Sequence, residues 1–227
     1  MSVLDTIPAF EEDWIKKFDP QKRILTGRSY GLAKRAMDLL LVVSTLPFWL
    51  TICGVVGLII RFTSPGAPVV FSQSRTGKGG RRFSMFKFRT MVPNAEELKE
   101  KYAHLNELQW PDFKITDDPR VTSIGSFLRK TSLDELPQLI NVLKGDMSLV
   151  GPRPTSFGAE TYKLWHTERL DVMPGLTGLW QIIGRAQLEF DDRLRLDIAY
   201  IERASLWFDF NILLKTVLAV FERRGAY

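Results

Sequence analysis

The chain has 227 residues and a formal net charge of +5, with 45% hydrophobic and 25% charged residues. That length suits one domain with an added segment, and the apolar fraction supplies a real core, which excludes wholesale disorder. The lone Cys53 excludes an internal disulfide framework, no Cys/His cluster has zinc spacing, and a pI near 9.3 points to anionic partners: phosphate esters, nucleic acid or acidic lipid.

Residues 1–38 are mixed in charge and carry Trp14 and Phe18. They read as a short helix or arm lying at a membrane surface. From Leu39 to Ile60 no residue is charged. As one helix this run would be about 33 Å long, enough to cross a hydrocarbon core of about 30 Å. Pro47 sits inside it, removing a backbone donor and clashing with the preceding turn. Each arm beside Pro47 is shorter than a spanning helix. Both flanks are basic, with Lys34 and Arg35 before and Arg61 and Arg75 after, so charge gives a span no preferred orientation. A re-entrant helix-break-helix that returns to the same face is the preferred reading. A kinked single span is the alternative.

Ser64-Pro65-Gly66 marks a turn. Val69–Phe71 and Phe83–Phe88 read as strands joined through the glycine-rich 76–80, a β-hairpin with a basic tip. Asn94 is placed to cap a helix running to about Leu108. A further helix is signalled over 132–144, with Leu136, Leu139, Ile140 and Leu143 on one face and Gly145 as its stop. Pro152-Arg153-Pro154 is a rigid loop, and 174–184 is a second, glycine- and proline-rich one. Amphipathic helices over about 191–204 and 208–222 close the chain, the first striped by Leu194, Ile198 and Ile201. The fold class is α+β, mainly helical.

Asp134-Glu135 is the first candidate for chemistry. Adjacent carboxylates at a helix start can serve as nucleophile and helper or hold a metal, and a carboxylate can attack phosphorus to give an acyl phosphate. Ser132-x-x-Glu135 is equally a capping box, with no chemistry at all. Lys87 and Arg89 share one face of a strand and can reach phosphates, or form a solvated basic edge. Two prolines limit the backbone around Arg153, which suits an anion or simply a stiff connector. Gln181 and Arg185 lie by glycines that allow close approach of a ligand, or a tight turn around Trp180. His104 and His166 read as isolated surface residues, and Cys53 as inert packing. No nucleic-acid module is present, and the apolar run argues against a nucleic-acid partner.

Several blocks in order resemble the monotopic phosphoglycosyl transferases, a family of bacterial sugar transferases. They are Lys34-Arg35-…-Asp38, Ser64-Pro65-Gly66, Lys87-Phe88-Arg89-Thr90-Met91, Asp117-Asp118-Pro119-Arg120-Val121, Thr131 to Gln138, Gly145 to Pro154, and Pro174-Gly175-Leu176-Thr177-Gly178. The resemblance covers about residue 30 to the end. It implies a monotopic enzyme on the cytoplasmic face of the bacterial inner membrane. Such an enzyme moves a sugar-1-phosphate from a UDP-sugar to polyprenyl phosphate and releases UMP, with Mg²⁺ as cofactor. Asp134 would be the nucleophile close to Mg²⁺, Glu135 would assist, and Arg153 would bind the nucleotide sugar. The domains would be an arm over 1–38, a re-entrant membrane helix over 39–60 and a cytoplasmic catalytic domain over 61–227. Residues 1–38 are too short for the bundle of membrane helices that many relatives carry, so a short form or catalytic module is expected. The stretch from Gly178 to Tyr227 looks most like members that use simple hexose-1-phosphates. Membrane lipid is an implied partner, and a homo-oligomer stays open. The rivals are a non-catalytic basic scaffold binding anionic lipid, and a glycosyl transferase that releases UDP rather than UMP.

Overall fold

Helix dominates the computed structural model, which describes residues 13–107, 115–183 and 188–221. The helices are α1 (Asp13–Lys16), α2 (Gly27–Ser44), α3 (Leu46–Thr63), α4 (Leu98–Lys101), α5 (Ser123–Lys130), α6 (Gln138–Lys144), α7 (Leu179–Ile183), α8 (Phe190–Arg203) and α9 (Leu206–Phe221). The strands are β1 (Val70–Thr76), β2 (Arg82–Phe88), β3 (Ser148–Val150) and β4 (Gly175–Thr177). They form two separate two-stranded sheets, antiparallel β1–β2 and parallel β3–β4. The expected hairpin is present.

The apolar run is broken into two helices. The break falls at Thr45, whose φ of −94° and ψ of 0° leave the helical basin. Pro47 explains its place: it has no N–H to donate and is tolerated only in the first turn of the helix that follows. The first helix starts well upstream of residue 39, at Gly27, so the basic stretch before the apolar run is itself helical.

That basic stretch locks α2 to the rest of the molecule. Lys34 Nζ and Tyr30 Oη donate to Asp209 Oδ2 at 2.9 and 2.7 Å, and Tyr200 Oη donates to Asp209 Oδ1 at 2.7 Å. Arg35 donates to the carbonyls of Val142 and Leu143 at 2.6 and 2.9 Å, which satisfies the carboxyl end of α6. Asp38 accepts from Ser148 Oγ at 2.7 Å and from Leu149 N at 3.2 Å. The aromatic residues of the arm are part-buried and pack against the core. Phe18 and Trp14 stand 4.6 and 5.8 Å from the ring of the buried Phe208.

α3 buries only Trp49, Val56 and Ile60 and leaves Leu50, Leu58 and Phe62 exposed. Among the described residues it is the one helix long and apolar enough to cross a membrane. Its carboxyl half packs through Val56 and Ile60 against Phe88 and Leu128.

Other local expectations need correction. The helix expected from Asn94 to about Leu108 is the four-residue α4 followed by a 3-10 turn, Ala103–Leu105; Leu108 lies outside the described residues. The 132–144 helix is two pieces, a 3-10 turn Leu133–Glu135 and α6. Its buried face carries Gln138, Leu139, Asn141 and Val142, whereas Ile140 is exposed. Asn141 is drawn inward because its amide spans β2, with Oδ1 accepting from Phe86 N at 3.0 Å and Nδ2 donating to Ser84 O at 2.7 Å. Gly145 does stop α6, at φ +83°, a left-handed cap that glycine adopts without strain. The 174–184 loop contains β4 and α7, pinned by Gly175 N donating to Pro152 O at 2.9 Å. α8 and α9 match the expected closing helices, with Leu194 and Ile198 buried.

Candidate active site

The carboxylate pair sits at a turn of unusual backbone. Ser132 has φ +57°, the one non-glycine residue with positive φ among those described. Its side chain caps nothing, so the expected capping box does not form. The chain instead turns sharply after α5 and enters the 3-10 turn. At three residues per turn, the neighbours Asp134 and Glu135 point about 120° apart, so they meet different surroundings.

Glu135 is clamped by cations. Lys87 Nζ donates to Glu135 Oε1 at 2.9 Å, and Arg153 forks onto both carboxylate oxygens, with Nη1 reaching Oε2 at 3.3 Å. β2 presents Lys87, and the buried Pro152 and Pro154 fix the backbone on either side of Arg153. Burial works to raise the Glu135 carboxyl, but Arg153 and Lys87, by charge and hydrogen bond, outweigh it and hold the group well below the usual carboxylate range. Arg153 is raised in turn, chiefly by Glu135.

Asp134 is different. Its side chain is 8% exposed and accepts no hydrogen bond from the described residues. Burial pushes its carboxyl above the ordinary range, against the opposing pull of Lys87. Asp134 and Glu135 both line one open cleft of about 1570 Å³, with Arg129 near Asp134. A poorly solvated carboxylate facing a cleft is a competent nucleophile; a doubly ion-paired one is not.

The remaining predicted residues fall around this centre. Arg89 lines the cleft but donates to Ser64 O, and does not join Lys87 on Glu135. Gln181 lines it too, with Nε2 donating to Leu176 O at 3.3 Å. Arg185 lies outside the described residues. Several cleft residues escaped the sequence reading. Arg129 donates to Thr90 Oγ1 at 3.0 Å at the end of α5. Arg169 donates to the Arg153 carbonyl and pairs with buried Asp197 at 2.7 Å, so it braces the loop behind Arg153. Burial raises Asp197 to about 6 despite Arg169 and Arg193. No local spacing links 153, 169 and 197; only the packing of α8 joins them. His166 is corrected from surface to interior. It is 4% exposed, with Trp165 at 4.2 Å and Asp191 at 3.3 Å from its Nε2. His104 is exposed, as expected.

Among the described residues no group of three or more His, Cys, Asp or Glu side chains could hold a metal ion. Of the adjacent pair, Glu135 is taken by cations and Asp134 is open to one. A single carboxylate suits Mg²⁺, which keeps several waters and binds with the help of substrate phosphates.

Fold and site together define an α+β protein with a carboxylate-floored cleft, walled by guanidinium groups, beside an apolar helix. The family model described as bacterial sugar transferase matches residues 29–223, and the chain belongs to that family. It is 44% identical over 202 residues to the galactosyl transferase CpsE of Streptococcus agalactiae serotype III, covering 87% of this chain and 44% of that protein. It is 43% identical over 218 residues to the undecaprenyl-phosphate galactose phosphotransferase of Salmonella typhimurium, covering 89% and 43%. It is 39% identical over 219 residues to the exopolysaccharide production protein ExoY of Sinorhizobium fredii, covering 92% and 95%. The chain thus spans less than half the length of the first two relatives and nearly all of the third.

Proposed function

We propose that the protein transfers a sugar-1-phosphate from a UDP-sugar to polyprenyl phosphate and releases UMP, as the initiating membrane step of glycoconjugate or exopolysaccharide assembly. The observation that carries this reading is the division of labour between two adjacent carboxylates. Glu135 is neutralised by Lys87 and Arg153, while Asp134 faces the cleft with no hydrogen bond from the described residues. The relatives' names supply the substrates: undecaprenyl phosphate and galactose in one, exopolysaccharide production in another.

In the first step an Asp134 carboxylate oxygen attacks the sugar-bearing phosphorus. A new P–O bond forms, the P–O bond to UMP breaks, and UMP leaves with the electron pair. In the second step a phosphate oxygen of the polyprenyl carrier attacks the same phosphorus. The acyl-phosphate bond breaks and the Asp134 carboxylate returns. Lys87 and Arg153, held in place by Glu135, lie where a diphosphate must pass and stabilise its charge. Mg²⁺, when held by Asp134 and the phosphates, supplies further charge neutralisation.

The carrier is a lipid, so the site belongs at a membrane surface, which we place at the cytoplasmic face. Two arms anchored to one body support a re-entrant segment. α2 is tied down near Lys34 and Asp38, and α3 near Val56 and Ile60, while Leu40, Val43, Phe48 and Leu50 between them stay exposed.

The test is nucleotide release by detergent-solubilised protein with Mg²⁺, polyprenyl phosphate and a panel of UDP-sugars. UMP from the wild type and none from Asp134→Asn is expected. Release of UDP would mean cleavage at the sugar carbon and would overturn the reading, as would undiminished UMP release by the variant.

A further inference from the structure

Within the cleft several cations already have an acidic partner. Lys87 and Arg153 share Glu135, Arg120 pairs with Asp118 at 2.7 Å, and Arg169 pairs with Asp197 at 2.7 Å. Arg75, like Arg89 and Arg129, has no ion pair among the described residues, and of these three it is the one that feels the charge of Arg153. It lines the cleft from the end of β1, and among the described residues its hydrogen-bond partners are neutral: Gln73 Oε1 and, at 3.4 Å, the Pro154 carbonyl. Its Nε is buried and has no partner.

The guanidinium also reaches the loop that carries Arg153, through the Pro154 carbonyl. The strand end that carries it is bolted to the loop that follows Pro154. Thr76 N donates to Thr155 O at 2.9 Å, Thr76 Oγ1 donates to Phe157 O at 2.7 Å, and Arg82 donates to Ser156 O at 2.9 Å. The like charges of Arg75 and Arg153 repel, and Glu135 offsets part of that cost. Consistent with that cost, burial first and the charge of Arg153 second lower Arg75 to about 10. A part-buried cation whose hydrogen-bond partners are neutral is what a phosphate-binding residue needs, because the anion meets a preformed donor.

We propose that Arg75 is a binding residue for a substrate phosphate, contacting the diphosphate of the nucleotide donor beside Arg153. This rests on the nucleotide-sugar reading above, but the anion contact can be tested apart from it. Sequence reading could not isolate Arg75, because it counted only among the basic residues flanking the apolar run.

The experiment is calorimetric titration of detergent-solubilised wild type, Arg75→Met and Arg75→Lys with UDP, UMP, uridine and inorganic pyrophosphate, in EDTA so that no metal bridges to Asp134. Thermal unfolding checks that each variant is folded. We expect Arg75→Met to weaken UDP and UMP roughly 10- to 100-fold, the loss typical of a charge-assisted hydrogen bond, and to leave uridine unchanged. Arg75→Lys is expected to retain part of the phosphate affinity, since it keeps the charge and loses the fork. Equal losses for UDP and uridine would make Arg75 a mere strut for the Pro154 loop and overturn the proposal; so would unchanged UDP binding. If the wild type binds no uridine compound in EDTA and none when Mg²⁺ is restored, the donor reading fails. Pyrophosphate then decides alone: binding lost in Arg75→Met upholds the anion contact, and its absence or persistence overturns it.

Discussion

At the residue scale, Asp134 and Glu135 share a peptide bond, and their carboxyls shift in opposite directions. The proposed mechanism requires Asp134 ionised, and burial raises its carboxyl. The rate should therefore fall on acidification with a midpoint above the ordinary aspartate value of about 3.9, measurable as kcat/KM against pH. The sign for stability follows from the same shift. A carboxyl raised in the folded state disfavours folding once it is ionised, so at neutral pH Asp134→Asn should raise Tm while lowering turnover by at least about 10³-fold. Glu135 runs the other way. Its group is lowered, so its contribution is present above the unfolded glutamate range and fades as pH falls through that range toward its folded value. Ser132 offers a separate check. Its φ of +57° strains a residue with a β-carbon, and Ser132→Gly should stabilise the fold by up to about 1 kcal/mol in chemical denaturation.

At the element scale, α2 owes its position to buried charge. Asp209 is fully buried and receives donors from Tyr30, Lys34 and Tyr200. Removing one partner leaves the Lys34 ammonium stranded, so Asp209→Ala should cost about 3–5 kcal/mol by urea unfolding. The α5–β2 junction depends on a missing side chain. A β-carbon on Gly125 would collide with the Thr90 carbonyl, next to the cleft residue Arg89. Backbone must then shift, and Gly125→Ala should destabilise by about 1–3 kcal/mol. These elements show how far local sequence rules reach. The hairpin, the break near Pro47 and the Gly145 cap follow from turn chemistry within a few residues. The inward face of α6 does not, because Asn141 is buried by bonds to β2, and the helical stripe counted Ile140 in its place.

At the scale of the whole molecule, the exposed apolar surface lies mostly on α3 and α9. Trp207, Phe210, Leu214 and Leu218 line one side of α9, and Leu50, Leu58 and Phe62 line α3. Apolar area of this extent on a folded protein marks contact with lipid or a partner. A re-entrant segment makes a sharp topological prediction. With Cys53→Ser as background, single cysteines at Arg28 and Thr63 should both react with an impermeant maleimide from the cytoplasmic side of membrane vesicles. Labelling from opposite sides would mean a span.

The sequence by itself determined the apolar run and its break, the basic balance, the hairpin, the closing helices and the ordered motifs of a bacterial sugar transferase. Each depends on composition or on neighbours within about one helical turn. The tertiary structure decided which acidic residue is neutralised and which is left open, that Lys34 and Asp38 lock α2 to the body, and that Arg75 has no ion pair among the described residues. Those outcomes rest on charge compensation between distant segments, such as Lys34 and Asp209, which lie 175 residues apart. Coulomb interactions depend on separation in space and on burial, and neither is written in local spacing.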